Sequence, residues 1–411
     1  MTIQTLIAEN SHNIKRRAYL KRRLRNGGFE ADWQEVSWIG DRERVIKWGS
    51  FSQEVNYQPG EISAFDISEL QMEFDNSMGH WNIESNANSL FFPPGNYLTR
   101  RLSKLKIEEG FIDPSSGTEV GTATIFEGAI DKVEIDDSGV AKVTILPYSS
   151  ILTKYDISDL ALTGAKTIST IVNLIMNQSK IIEYIPYVAA ATINNRTVQD
   201  CTTLSGSYWD VLKQLAYQSS SLPAVIGPAW SFAGRTPSVD VKWDFVGRGG
   251  FNPDILEVNS YDDEGADRVR VYWKAQDSNL NATSTDALLL AKYLGEPQEI
   301  DLSDYNDADK QEILDQLLQD WQRPKPIIEF TTKFLLNLVQ PLYRVTIKIQ
   351  GGVVPTNNAV KYGSCKYGDG SQYAGVTGGI RIRDAGQWMI TRVQKDIDNG
   401  IFTITAERIV N

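Results

Sequence analysis

Two distant stretches of this chain run through the same order of short β-patterned segments, and that order constrains the fold more than any other feature. The early stretch has Arg101–Gly110, then Phe126-Glu-Gly-Ala-Ile130-Asp-Lys-Val133 running on to Asp136-Asp-Ser-Gly139, then Lys142-Val-Thr-Ile145. The late stretch has Arg344-Val-Thr-Ile-Lys-Ile349-Gln-Gly351, then Trp388-Met-Ile390-Thr-Arg-Val393 running on to Asp396-Ile-Asp398-Asn-Gly400, then Phe402-Thr-Ile-Thr405. Each copy reads as a strand ending near Gly, followed by a hairpin whose turn carries Asp and Gly. The match lies in order rather than in identity, and generic hairpins share its ingredients. Taken as an internal repeat, it predicts two related small antiparallel β-barrels in one chain.

The surrounding pattern fits that expectation. From Val45 to about Ile151, short alternating runs such as Val45–Trp48, Thr122–Phe126 and Val140–Leu146 are separated by Gly, Asp, Asn and Pro turns. The middle of the chain changes period. Ile168, Ile171, Val172 and Ile175 fall on one helical face, and Tyr208, Val211, Leu212 and Leu215 on another, with Ser207 and Asp210 placed as an N-cap pair. A longer helix is predicted from Ser303 to Gln322, with Ile313, Leu317 and Trp321 on its stripe and Pro324 beyond it. Val239–Trp243 and Val269–Trp273 read as strands between these helices. The expected fold class is α+β, mainly β, with two related small antiparallel β-barrels flanking a central α+β region. The expected domains are an N-terminal basic arm (1–40), a first barrel (41–155), a central α+β region (156–325) and a second barrel (326–411) with a Tyr/Gly-rich insertion at 353–385.

Composition narrows the function classes. The 411 residues allow two to four domains with ordinary cores. Ten Trp, 17 Tyr and 14 Phe with only 23% charged residues favour β-rich structure over disorder. Lys plus Arg number 41 against 52 Asp plus Glu, a net charge of −11, which argues against a general nucleic-acid binder. Cys201 and Cys365 are too few to staple such a chain, so reduced thiols and a reducing site of synthesis are expected. The first ten residues lack a basic and apolar signal pattern, and no run nears the ~18 apolar residues of a membrane span. Neither export by a signal peptide nor stable membrane insertion is expected.

The search for chemistry returns little. His12 and His80 lack the neighbours of a triad or a zinc motif. Gly247-Arg-Gly-Gly250 lacks the strand-then-helix setting of a phosphate loop. The acidic turns at Asp131–Asp137, Asp262–Asp267 and Asp396–Asp398 do not fit the ligand spacing of an EF-hand and read as solvated turns. No catalytic residue, cofactor site or metal site is nominated.

Two segments stand out as contact surfaces. Lys15–Arg25 carries seven basic residues, among them Arg16, Arg17, Arg22 and Arg23. It reads either as a grip for nucleic acid or an acidic partner or as a solvated arm or helix face packing through Ala18, Leu20 and Leu24. Lys361–Gly375 spaces Tyr362, Tyr367 and Tyr373 among Gly and Ser, a composition suited to an adaptable partner-binding surface. The early copy of the repeat takes about 23 residues from Ile107 to Ile130 and the late copy about 41 from Ile349 to Ile390, so roughly 18 extra residues form an insertion.

Phe65–Gly79, with its Asn76-Ser-Met-Gly79 ending, then Tyr97–Gly110 and the Phe126-Glu-Gly-Ala-Ile130-Asp131 hairpin, resembles the first hub domain of bacteriophage tail-tip proteins. The closing Trp388–Ile409 strand pair and the Tyr362-Gly-Ser-Cys-Lys-Tyr367-Gly-Asp-Gly segment are similar to features of the same family. The resemblance implies a structural, non-enzymatic tail-tip or baseplate hub. It also implies a homotrimer whose two tube-like domains per chain adapt a six-fold tail tube to a three-fold tip. Implied partners are a distal tail protein or tail tube ring, a tape measure protein, and a tip fibre or receptor-binding protein, with viral DNA passing through unbound. The implied location is the tail tip of a virion assembled in a bacterial cytoplasm. Tail lysins of the family carry further domains after the hub, whereas this sequence stops at Asn411, so cell-wall hydrolysis is not expected. The rival readings are an envelope-glycan depolymerase or hydrolase and a carbohydrate-binding β protein.

Overall fold

Alternation of apolar and polar residues shapes many strands of this molecule, because successive side chains on a strand point to opposite faces. The computed structural model describes residues 13–40, 42–55, 64–83, 87–92, 96–187, 194–219, 221–234, 238–246, 255–262, 269–276, 278–293, 297–322, 325–333, 339–348 and 386–409. Tyr362, Tyr367, Tyr373 and Cys365 lie outside them.

Strands are numbered in chain order. The first is β1 (Asn13–Leu24), followed by the two-residue strands β2 (Gln34–Glu35), β3 (Trp38–Ile39) and β4 (Arg42–Glu43). Next come β5 (Val45–Lys47), β6 (Ser50–Val55), β7 (Phe65–Ile67), β8 (Leu70–Asp75), β9 (Tyr97–Ile112), β10 (Glu119–Ile135) and β11 (Val140–Pro147). The middle adds β12 (Lys166–Thr167), β13 (Thr197–Val198), β14 (Ser221–Ile226), β15 (Ala229–Gly234), β16 (Val241–Val246), β17 (Ile255–Asp262), β18 (Tyr272–Ala275), β19 (Asn281–Thr283) and β20 (Gln298–Ile300). The last are β21 (Ile327–Lys333), β22 (Arg344–Lys348), β23 (Gly386–Asp396) and β24 (Ile401–Arg408).

Two large sheets dominate. The first has the order β2-β1-β9-β10-β11-β8-β5. The second runs β15-β14-β7-β6-β23-β24-β21-β17, with β22 joined to β23 and β16 joined to β22. Both are open paths among the described residues, so the pairings seen do not close either sheet into a barrel. Within them lies a repeat. Strands β1, β5, β8, β9, β10 and β11 stand in the spatial order β1-β9-β10-β11-β8-β5, and β16, β17, β21, β22, β23 and β24 stand in the order β16-β22-β23-β24-β21-β17. Chain order and sheet order therefore correspond strand for strand.

The register corresponds as well. Between β10 and β11 the ladder runs from Gly128 to Ile130, slips at Asp131 and resumes with Lys132 opposite Thr144. Between β23 and β24 it runs from Trp388 to Ile390, slips at Thr391 and resumes with Arg392 opposite Thr405. Leu70, Met72 and Phe74 oppose Ile145, Val143 and Ala141, just as Ile328, Phe330 and Thr332 oppose Ala406, Ile404 and Phe402. All twelve are buried. A second bulge also recurs, at Ile46 in β5 and at Leu256 in β17. Bulges change twist and aim at one defined residue, so their coincidence at two sites marks a structural duplication. One strand departs from it: β1 is antiparallel to β9, while β16 is parallel to β22. The ladders also refine the alignment of the copies, because Ile107 opposite Phe126 matches Ile347 opposite Gly386, two residues before Ile349.

The helices of the middle region pack into a core of their own. Ile168–Met176 buries Ile168, Ile171, Val172 and Ile175, and Tyr208–Gln218 starts from a capping box of Ser207 and Asp210. The third helix spans Asp307–Trp321, starting later than Ser303 because the Asn306 side chain accepts the Asp309 N–H as its N-cap. Ile313, Leu317 and Trp321 are buried as the stripe predicts.

Candidate subunit interface

The basic run Lys15–Arg25 is neither an arm nor a helix face: residues 13–24 form β1, inside the first sheet between β2 and β9. Ala18 and Leu20 alternate inward and are fully buried, and the cations around them mask that period in the sequence. Each of the four candidate arginines is engaged within the chain. Arg16 donates to Glu109 at 2.7 Å and Arg17 to Glu119 at 2.7 Å. Arg22 donates to Glu30 at 2.7 Å, and Arg23 reaches Glu183 at 3.2 Å and the Tyr184 hydroxyl at 2.5 Å. These guanidiniums tie β1 to its own sheet and to the middle region.

The residues that join the two repeats lie elsewhere. The chain leaves the first sheet after β5, turns at Gly49 and enters the second sheet as β6, antiparallel to β23. Gly49 has φ +84°, and a Cβ there would sit 2.2 Å from the Gln71 carbonyl oxygen, so only glycine fits. The corner is held from the other repeat. In the turn between β23 and β24, the Asp398 carboxylate accepts the N–H of Trp48 at 2.8 Å and of Gly49 at 3.0 Å, and the Ile397 N–H donates to the Gly49 carbonyl at 3.0 Å. Asp398 is thus a docking residue, not part of a merely solvated turn.

Each repeat also lends a side chain to the other's core. Ile397 is buried among Leu70, Phe74, Ile107 and their neighbours in the first core. Phe111, at the far end of β9, is buried among Phe245, Phe330 and Ile404 in the second, with Ile14 and Val120 packed beside it. Full burial of such a side chain stabilises by about 1.5–3 kcal/mol. Beside these contacts two fully buried ionisable groups face one another electrostatically, Glu109 on β9 and Lys395 on β23. Burial pushes the Glu109 carboxyl up to about 7 against the pull of Arg16 and Lys395. It pushes the Lys395 amine down to about 8 against the pull of Glu109. The Lys395 ammonium lies 5.4 Å from the ring centres of Phe51 and Phe402.

Sequence reasoning nominated none of Trp48, Gly49, Glu109, Ile397 and Lys395. One signal was available: the inward series Ile390, Val393, Lys395 places a lysine where an apolar residue belongs. Among the described residues no group of three or more His, Cys, Asp or Glu could hold a metal ion, and no helix is long and apolar enough to cross a membrane. The His80 ring meets the Asn88 carbonyl at 2.7 Å, and Cys201 is buried.

No family model and no curated protein matches the chain. Among solved structures, the tail protein from Neisseria meningitidis MC58 matches with a TM-score of 0.53 and 12% identity, over 96% of this chain and 96% of that one. A 43 kDa tail protein of prophage MuSo2 from Shewanella oneidensis has a TM-score of 0.48 and 10% identity, over 95% of this chain and 96% of that one. A prophage tail protein from Listeria monocytogenes EGD-e has a TM-score of 0.49 and 11% identity, over 95% of this chain and 94% of that one. The fold of this chain is that of the Neisseria tail protein, matched along nearly the whole length of both.

Proposed function

We propose that the chain is a structural, non-enzymatic hub subunit of a phage tail tip or baseplate, a homotrimer that presents six similar modules around a channel. The modules are the two repeats, residues about 41–155 and 326–411 with β1, β16 and β17 added, and the remainder of residues 156–325 supplies the α+β region between them. One observation carries this reading: two modules of the same register meet in one chain through unlike surfaces. The first offers the ends of β1, β9 and β10, and the second offers the β23–β24 turn. A contact between unlike surfaces leaves one of each free, and it repeats into a ring where the rotation closes. Two modules per chain are what a three-fold assembly needs to meet a six-fold tube.

A net charge of −11 suits a channel through which DNA passes without specific binding. The partners of this proposal are a distal tail protein or tail tube ring, a tape measure protein and a tip fibre or receptor-binding protein. Tyr362, Tyr367 and Tyr373 would serve one of these contacts, and the location would be the tail tip of a virion. The arginines of β1, engaged internally, would act by holding the module together. Solution mass by light scattering and negative-stain images test the proposal: a trimeric ring is expected, and a monomer at every concentration would sink it.

A further inference from the structure

The two repeats differ at one edge. In the second, residues 392–396 of β23 are covered by β6, with Lys395 opposite Phe51 and Gln394 opposite Ser52. In the first, the matching stretch is residues 132–135 at the end of β10 and Asp136 just beyond it. The ladder from β9 to β10 ends at Lys104 opposite Ala129, and β11 occupies the other edge, so among the described residues no strand covers this one.

Burial follows the difference. Val393 and Lys395 are fully buried, whereas Ile135, the match of Lys395, is 42% exposed. A cleft of about 400 Å³ adjoins the open edge, lined by Ile83, Arg100, Arg101, Asp131, Lys132 and Val133. Ile83 within it is 46% exposed. The edge therefore combines backbone that no strand covers among the described residues, an exposed β-branched side chain and a groove whose Arg101 and Lys132 are paired with Asp131 and Glu134.

We infer that residues 132–135 of β10 accept a strand from a second copy of this chain, as residues 392–396 of β23 accept β6 within one chain. This rests on the ring assembly proposed above and supplies its missing contact. The duplication indicates the donor. Lys47 opposite Glu73 matches Glu257 opposite Thr331, so the residues corresponding to β6 begin at Ser260, and Phe51 corresponds to Tyr261; unlike β6, residues 260–262 stay paired with β21 on one side, which leaves them only their other edge to offer. β17 is the last strand of its sheet, which leaves its outer edge open among the described residues. The strand ends at Asp262 and the sequence continues Asp263-Glu264, opposite in sign to Arg100 of the cleft, while Arg101 and Lys132 are paired with Asp131 at 3.0 Å and Glu134 at 2.7 Å. Pairing of two open edges is a standard route to association between chains.

The test uses the full chain. Ile135→Asp places a charge at the contact while changing a residue already exposed in the single chain. Wild type is expected as a trimer by light scattering, and Ile135→Asp as a monomer with unchanged circular dichroism and melting temperature. In parallel, a photo-crosslinking amino acid at position 135 is expected to join two copies, with the crosslinked peptide containing residues 255–262. A trimeric Ile135→Asp variant, or a crosslink to another segment, overturns this inference and leaves the ring reading in place. A wild-type monomer overturns both. Where Ile135→Asp fails to fold, the crosslink decides.

Discussion

Leu102 and Leu342 hold the same left-handed backbone, φ +64° and +69°, at matching positions of the two repeats. The match follows from the ladders, where Leu105 opposes Gly128 and Val345 opposes Trp388. In both repeats the residue sits two positions before the ladder onto the next strand begins, at Lys104 and at Arg344. It turns the incoming chain away from β10 or β23, and the edge so opened is the one filled by β6 in one repeat and open in the other.

A left-handed backbone costs an ordinary L-residue about 1–2 kcal/mol, and more for a β-branched one. Leu102→Gly should therefore stay within about 1 kcal/mol of wild type, since relief of the backbone offsets the lost apolar contacts. Leu102→Val should destabilise by about 1–2 kcal/mol. Leu105→Gly, at a fully buried position, should cost about 3 kcal/mol or more. Urea unfolding checks the order. Equal losses for Leu102→Gly and Leu105→Gly would show that the shared conformation carries no strain.

The corner at Gly49 should be the least tolerant point of the junction. Gly49→Ala forces a Cβ onto the Gln71 carbonyl and should destabilise by about 3 kcal/mol, beyond the usual effect of glycine replacement. Asp398→Ala removes two charge-assisted bonds to backbone N–H groups and should cost about 2–3 kcal/mol. Ile397→Ala should cost about 2–4 kcal/mol by leaving a cavity in the first core. Asp136→Ala, in the matching turn of the first repeat, removes bonds within that exposed turn and should cost clearly less than Asp398→Ala. Comparable losses at Asp136 and Asp398 would show that Asp398 acts only within its own turn.

The junction also sets a pH dependence. The Glu109 carboxyl is raised from an ordinary 4.5 to about 7, so between those values the unfolded chain loses a proton the folded chain keeps, and stability falls as pH rises. The Lys395 amine is lowered from an ordinary 10.5 to about 8, so between those values the unfolded chain keeps a proton the folded chain has lost, and stability rises with pH. A trough near pH 7–8 results. Glu109→Gln should abolish the decline on its acid side, and Lys395→Met the recovery on its alkaline side, each read as a difference from wild type across a pH series. Gln stands in for the protonated carboxyl that the fold favours, so Glu109→Gln should be at least as stable as wild type at pH 7. The double variant should show neither slope. A decline between pH 4.5 and 7 that survives in Glu109→Gln would show that another group carries it.

Much of this architecture was legible in the sequence. Strands β10 and β23 align residue for residue from Ile130 and Ile390, because apolar alternation fixes which face of a strand is inward, and the turn that follows is one residue longer in the second copy. The helices at Ile168 and Tyr208 were legible from period and cap. Three features were not, the first two because the partner is remote in sequence. β1 reads as a basic stretch, since Arg16, Arg17 and Arg23 are neutralised by Glu109, Glu119 and Glu183, far along the chain. The crossing of β6 depends on Gly49 meeting Gln71 and Asp398. The bulges at Asp131 and Thr391 leave the sequence pattern nearly intact while shifting the register.

The ladders also sharpen an expectation for the Tyr-rich segment. Ile107 and Ile130 are 23 residues apart, whereas their matches Ile347 and Ile390 are 43 apart, so the late copy carries 20 more residues between the same two rungs. In the early copy the link is a tight turn, in which the Asp113 carboxylate accepts the Ser115 N–H and the Asp113 carbonyl accepts the Gly117 N–H. The rungs can therefore be joined without the extra residues. Deleting residues 361–375 and closing with a short Gly linker should leave the melting temperature within a few degrees of wild type and the solution mass of the assembly in register with it. The same deletion should abolish formation of complete tails in cells that supply the remaining tail proteins, because Tyr362, Tyr367 and Tyr373 would be lost from a partner contact. A deletion that lowers the melting temperature sharply would place the segment in the core. One that builds normal tails would show that no partner depends on it.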